Sequence, residues 1–164
     1  MTVATKVAAP ELTWVYSFDV AGDPVAQGSK RIGRNRRTGR PILLDDNDSD
    51  LRSWRELVHL AGIRERRGQQ PLEGPIEVRL VFRLSRPKDH FGSGGNAGQL
   101  KPNAPRWHPF RKDADKVARS VLDALKTARI YGDDGQVAHL DVSKVWAARD
   151  ESPGVAVAVG VLQP

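Results

Sequence analysis

The sequence predicts an α+β fold: one domain built on a mixed β-sheet, with two main helices packed on one face and long basic loops. Three observations predict it. Apolar residues alternate over 14–20, 76–84, 136–147 and 155–162, the pattern of half-buried strands. Two stretches, from about Ser49 or Asp50 to Arg67 and from about Asp115 to Ala128, repeat apolar residues at helical spacing. The order, strands and then a helix, a strand, a helix and a strand pair, suits helices laid on one sheet. A length of 164 residues favours a single domain with a real core.

Taken in order, residues 1–12 read as a flexible arm and 13–164 as the domain. Trp14, Tyr16, Phe18 and Val20 share one side of the first strand. Residues 28–40 hold Lys30, Arg31, Arg34, Arg36, Arg37 and Arg40 with no acid, and their glycines predict a loop or open hairpin. A short strand at 41–44 and a helix follow. That helix is capped at Ser49 or Asp50, has Leu51, Trp54, Val58 and Ala61 as its apolar face, and ends in arginines that suit the helix dipole. In the strand 76–84, Ile76, Val78, Leu80, Phe82 and Leu84 face one way and Glu77, Arg79 and Arg83 the other. Residues 85–112 show no period, and a gap that long marks a functional or mobile loop. It carries Lys88, Lys101, Arg111 and Lys112, interleaved with Phe91, Trp107 and Phe110. The second helix presents Val117, Val121, Ala124, Leu125 and Ala128 on one face and Lys116, Arg119, Asp123 and Lys126 on the other.

Composition narrows the function. With 26 Lys and Arg against 20 Asp and Glu the net charge is +6, and the pI of about 10.0 points to a polyanion, usually nucleic acid. The alternative is a merely soluble basic protein. The absence of cysteine excludes disulfides, thiol nucleophiles and thiolate zinc sites. No apolar run spans a membrane, and no signal-peptide core follows Met1, so a cytoplasmic protein without membrane partners is expected. Gly92-Ser-Gly-Gly95 lacks the ending of a phosphate loop, so no nucleotide cofactor is expected.

The chemistry concentrates in Lys112–Lys144. Asp113 and Asp115 open the second helix, and Asp133 and Asp134 follow it in a loop. Carboxylates two apart at a helix start, joined by one from a second loop, make the hard-oxygen set that suits magnesium. A metal so held activates water and offsets phosphate charge in hydrolysis. The bland alternatives are N-capping for Asp113 and Asp115 and a turn for Asp133-Asp134-Gly135. An EF-hand is excluded after Asp113, because the third acid and central glycine are missing. Lys144 interrupts an apolar strand face and needs a partner or a path to solvent. The four histidines show no metal-like spacing.

Lys112-Asp-Ala-Asp-Lys-Val-Ala-Arg-Ser-Val-Leu-Asp-Ala-Leu125, with Tyr131-Gly-Asp-Asp-Gly-Gln-Val137 and Lys144, resembles the RusA family of Holliday junction resolvases. The resemblance implies a RusA-like fold, a homodimer, a four-way DNA junction as substrate, symmetric nicking, and dependence on Mg2+ or Mn2+. It places the acidic ligands on Asp113, Asp115 and Asp134, with Asp133 adjacent. The family's functional lysine falls on Arg119, a departure that keeps the charge but not an exchangeable proton. Lys116 and Lys144 are further candidates for balancing phosphate charge. Two other readings stay open: a basic DNA-binding protein without catalysis, and a metal nuclease acting on other branched or single-stranded nucleic acid.

Overall fold

The computed structural model describes residues 12–28, 30–45 and 48–163. The expected arm over 1–12 lies outside these, except for Leu12, which already belongs to the first strand. The elements are β1 (Leu12–Ala21), β2 (Lys30–Arg34), β3 (Pro41–Asp45), α1 (Asp48–Arg66), β4 (Ile76–Leu84), α2 (Ala114–Thr127), β5 (Val137–Trp146) and β6 (Gly154–Leu162). Four strands form one mixed sheet in the order β1-β6-β4-β5, while β2 and β3 make a separate hairpin. The expected α+β architecture is therefore present.

The core explains the arrangement. Ile76, Val78, Leu80, Phe82 and Leu84 of β4 and Val155, Val157 and Val159 of β6 bury one face of the sheet. Leu51, Trp54 and Val58 of α1 and Val117, Val121 and Leu125 of α2 cover it. Burying each such side chain contributes about 1.5–3 kcal/mol. Between the helices, the buried Trp54 Nε1 donates to Ser120 Oγ at 3.2 Å, which in turn donates to Val117 O at 2.8 Å. Arg55 and Asp123 pair beside them.

One expected face is corrected. A bulge between Trp14 and Tyr16 breaks the alternation in β1, so Tyr16 and Val20 enter the core while Trp14 is 40 % exposed. Its ring instead carries the Arg79 guanidinium at 4.9 Å, a cation–π contact that alternation does not foresee.

β4 and β5 are parallel neighbours, so the chain between them must cross over the sheet, and α2 is that crossover. The consequence for function is positional. Residues 85–113 return to the start of α2, above the C-terminal half of β5, and residues 128–136 run from the end of α2 to the start of β5.

Candidate active site

The start of α2 is held from below. Lys144 reaches up from β5, and its Nζ donates to Phe110 O at 3.0 Å and to Lys112 O at 2.9 Å. Lys112 has φ of 70°, a left-handed conformation that is uncommon for a residue with a side chain. Its own Nζ reaches both Asp23 carboxylate oxygens at 2.8 Å. The segment entering Asp113 is thus fixed by its carbonyl and by its side chain. Lys144 finds its partners in backbone carbonyls rather than in the aspartates.

Asp113 occupies the N-cap position of α2, yet its side chain makes no capping hydrogen bond. Its carboxylate pairs instead with Lys116 at 3.2 Å. Asp115 and Arg119, one turn apart on the next ridge, are exposed and have no hydrogen bond or ion pair with any described residue. A groove of about 370 Å3 runs between this ridge and β5, lined by Asp115, Arg119, Asp123, Asp134, Leu140 and Val142. Capping therefore does not account for the first aspartate pair.

The second acidic loop divides its labour. Asp133 accepts from Gly135 N at 2.8 Å and begins a capping box with Gln136. That N–H, with Lys126, holds its carboxyl below the usual carboxylate range. The turn reading thus fits Asp133, whereas Asp134 has no backbone duty and lies 3.8 Å from Lys126. Gln136 clamps the loop with its side-chain amide. Its Oε1 accepts from Gly132 N and Asp133 N at 2.8 and 3.0 Å, and its Nε2 donates to Leu72 O and Gly74 O at 2.9 and 3.0 Å. Sequence reasoning assigned Gln136 no role, although a glutamine three residues after a capping aspartate is the signature of such a box. Under the loop lies Tyr131, whose hydroxyl donates to Leu122 O at 3.0 Å. Burial first, then the Asp134 charge, push this phenol up, so it stays protonated and donates.

Asp115 and Asp134 line the same groove at different levels of α2. Asp134 is tied to Tyr131 and hence to the level of Leu122, seven residues beyond Asp115. Seven residues of helix rise about 10 Å. Among the described residues no three His, Asp or Glu side chains are close enough to hold one metal ion. Asp115 and Asp134 thus mark two ends of one groove.

The basic segments surround the start of α2. Gln27 N donates to Lys116 O at 3.1 Å, and Ala26, Gln27, Gly28, Arg111 and Lys112 line a hollow with Asp113 and Lys116. The β2–β3 hairpin thus leaves the body beside the first aspartate pair. Asn35 ties its turn by accepting from Arg37 N and Thr38 N at 2.9 and 3.1 Å, and Gly39, with φ of 66°, closes it. Arg34, Arg36, Arg37 and Arg40 project into solvent. The side chains of Lys30 and Arg31 lie outside the described set. In the long loop, Lys101 Nζ donates to Asp89 O at 2.7 Å, and Arg86 donates to Pro105 O and Ala147 O at 2.9 Å, so both stiffen the loop. Lys88 sits on a single 3-10 turn within it, Lys88–His90. Arg111, Trp107 and Phe110 are exposed, Phe110 to 66 %. His108 packs against Trp146 at 4.2 Å between ring centroids, and burial, then the Lys144 charge, lower its pKa.

An unpaired carboxylate, Asp115, in a groove with further acids and with exposed arginines around it, defines a class: a protein that handles the phosphodiester backbone of nucleic acid. The family model described as endodeoxyribonuclease RusA matches residues 21–160, and the chain belongs to that family. No curated protein matches it closely enough to be counted. The family activity is that of an endonuclease of the Holliday junction resolvase class, acting on branched DNA in recombination and generally dependent on a divalent metal. No helix among the described residues is long and apolar enough to cross a membrane.

Proposed function

We propose that this chain is a magnesium-dependent endodeoxyribonuclease that nicks four-way DNA junctions in symmetric pairs, as a homodimer, in the cytoplasm where that DNA lies. Manganese is the expected substitute ion. The observation that carries the reading is the Asp115–Arg119 ridge, an acid and a cation one turn apart that satisfy nothing within the fold. A carboxylate and a guanidinium left unpaired at a helix start are arranged for an external ligand, and the surrounding arginines select an anionic one.

Asp113, Asp115 and Asp134 are the proposed acidic ligands, and Asp133 is a loop former rather than a ligand. Bound there, a divalent ion would supply an activated water and charge neutralisation at the phosphate. Arg119 and Lys116 face the phosphate and offset its charge. Arg119 has only this electrostatic part, because it does not release a proton. Lys144 acts through the backbone it holds. Arg34, Arg36, Arg37, Arg40, Lys30, Arg31, Lys88 and Arg111 grip flanking phosphates, while Lys101 and Lys112 mainly brace the loop. Phe110 and Trp107 are exposed beside the start of α2, where they stack on bases unpaired at a branch point.

The test is cleavage of a labelled synthetic four-way junction against linear duplex of the same sequence, with magnesium, with chelator, and with Asp115→Asn. Paired nicks confined to the junction, needing metal and lost in the variant with binding kept, are expected. Tight junction binding without cutting under any metal would leave a binding protein, and equal cutting of duplex or single strands would leave a different nuclease.

A further inference from the structure

We propose that each acidic site is completed across a dimer, the partner's Asp134 joining Asp113 and Asp115, through pairing of the two β5 edges about a two-fold axis at Leu140. This rests on the nuclease reading above, and it starts from the separation of Asp115 and Asp134 along α2.

The sheet has two edges, β1 and β5. Natural edges are blunted by bulges, coverings, prolines or lysines. β1 carries the Trp14–Tyr16 bulge in mid-strand, while the irregularity of β5 falls at Ala138, before the regular stretch from His139 onward. The C-terminal half of β5 is covered, since His108 N donates to Lys144 O and Trp146 N to Arg106 O, both at 3.0 Å. Residues 139–143 pair with β4 on one side and with no described segment on the other, and Leu140 there is 40 % exposed. The covered residues show which backbone groups point outward. Lys144 and Trp146 use theirs on the loop, so Leu140 and Val142, at the same parity, direct theirs to open solvent.

Parity leaves few antiparallel registers. An axis at Asp141 sets that carboxylate against its own copy, and an axis at His139 does the same to the imidazole, which is unfavourable for like groups directly opposite. An axis at Val142 brings Leu140 of the partner subunit to Lys144, whose outer carbonyl is already taken. An axis at Leu140 forms a reciprocal Leu140 hydrogen-bonded pair and sets His139 against the partner's Asp141. These two side chains already bond Glu77 at 3.0 Å and Arg79 at 3.1 Å, so the new pairs extend an existing row of polar contacts.

The same register has a consequence for the site. It ends the pairing at Val142 opposite the partner's Ala138, so the partner's turn, with Asp133 and Asp134, comes next to the loop that covers Lys144 and carries Arg106 and Arg111. That loop leads directly to Asp113 and Asp115, held there by Lys144. An acidic turn thus meets a basic loop, and the third carboxylate arrives at the end of the groove where its own chain does not place it. An in-plane pairing of this kind keeps both grooves on one face of the joined sheet, as paired cuts in one junction require.

Mixed subunits test it. Asp115→Asn and Asp134→Asn chains are each expected to be inactive alone. A mixed dimer has one site with two altered residues and one with none, so mixing restores magnesium-dependent nicking of one strand. If each site lies within one chain, the mixture stays dead and the proposal is overturned. The geometry has its own readout. The chain has no cysteine, so Leu140→Cys introduces one thiol per chain. A hydrogen-bonded antiparallel pair holds its Cα atoms about 5.5 Å apart, within disulfide range. Mild oxidation, with and without junction DNA, should give a covalent dimer with Leu140→Cys and none with Ser17→Cys. A dimer by sedimentation that does not cross-link at position 140, or a monomer throughout, overturns the interface. Cross-linking without cutting by the wild type refutes the nuclease reading alone.

Discussion

Replacing Lys144 by methionine keeps much of the apolar stem and removes two charge-assisted hydrogen bonds, to Phe110 O at 3.0 Å and Lys112 O at 2.9 Å. Bonds from a charged donor contribute about 1.5–3 kcal/mol each, and this ammonium keeps part of its hydration, so about 3 kcal/mol is the upper bound for the pair. Against it stands the left-handed Lys112, whose φ of 70° costs about 1–2 kcal/mol. The terms are of similar size. Without Lys144 the strained conformation is restrained mainly by the exposed Lys112–Asp23 pair at 2.8 Å, and the segment entering α2 should relax. A shift of about 1 Å in a catalytic group can cost on the order of 100-fold in rate. Lys144→Met is therefore expected to slow junction cleavage at least about tenfold, which is about 1.4 kcal/mol of barrier. The melting temperature should change little, because the core is untouched, while amide exchange rises over 110–113. Full activity of Lys144→Met with unchanged exchange would refute the reasoning.

Gln136→Met deletes the four backbone bonds of the loop clamp, and it should raise the magnesium concentration needed for half-maximal cleavage while leaving junction affinity intact, as a metal titration would show. Alanine at Arg34, Arg36, Arg37 and Arg40 together should weaken binding to junction and duplex alike and flatten the salt dependence, by up to about 0.9 in slope of log K against log salt for each phosphate no longer neutralised. His108 has a folded pKa below its unfolded value of about 6.5, so its neutral form is the one the loop favours. Its contribution is complete above about pH 6.5 and declines as pH falls from there through the folded value. Amide protection at 106–108, taken relative to the intrinsic exchange rate at each pH, should thus fall on acidification in the wild type and lose that step in His108→Phe.

Most of the sheet and both helices were legible because their cores obey one period. Ile76 to Leu84 alternate and are buried, and Leu51, Trp54, Val58, Val117, Val121 and Leu125 recur at helical spacing and are buried. What periodicity missed was local: the bulge that turned Trp14 outward, and the two 3-10 turns and short bridges that order 85–112 through Arg86 and Lys101. The candidate site was legible as residue types and less so as roles. Asp133 and Asp134 are chemically identical in sequence, and only the Gly135 N–H at 2.8 Å and the Gln136 clamp separate the turn former from the acid that bonds no backbone group. Lys144 stood out as a cation on an apolar face, but its partners are carbonyls 32 and 34 residues away in the chain, which no spacing rule reaches.

The two acidic ends of the groove share one engineering problem. A carboxylate kept clear of backbone bonds cannot help hold its own segment, so other groups must do so. At the first end the task falls to Lys144 and the Lys112–Asp23 pair, and at the second to Asp133, Gln136 and Tyr131. This is why Asp115 remains free of partners while its neighbours are saturated, and why Asp134 is spared the turn that Asp133 makes. It also predicts how the site fails. Substituting a holder should change the metal requirement or rate by degrees, as position is lost, whereas substituting one of the proposed ligand acids should remove the cut outright. If Gln136→Met and Asp134→Asn proved indistinguishable in a magnesium titration, the distinction between holding and acting would not describe this site.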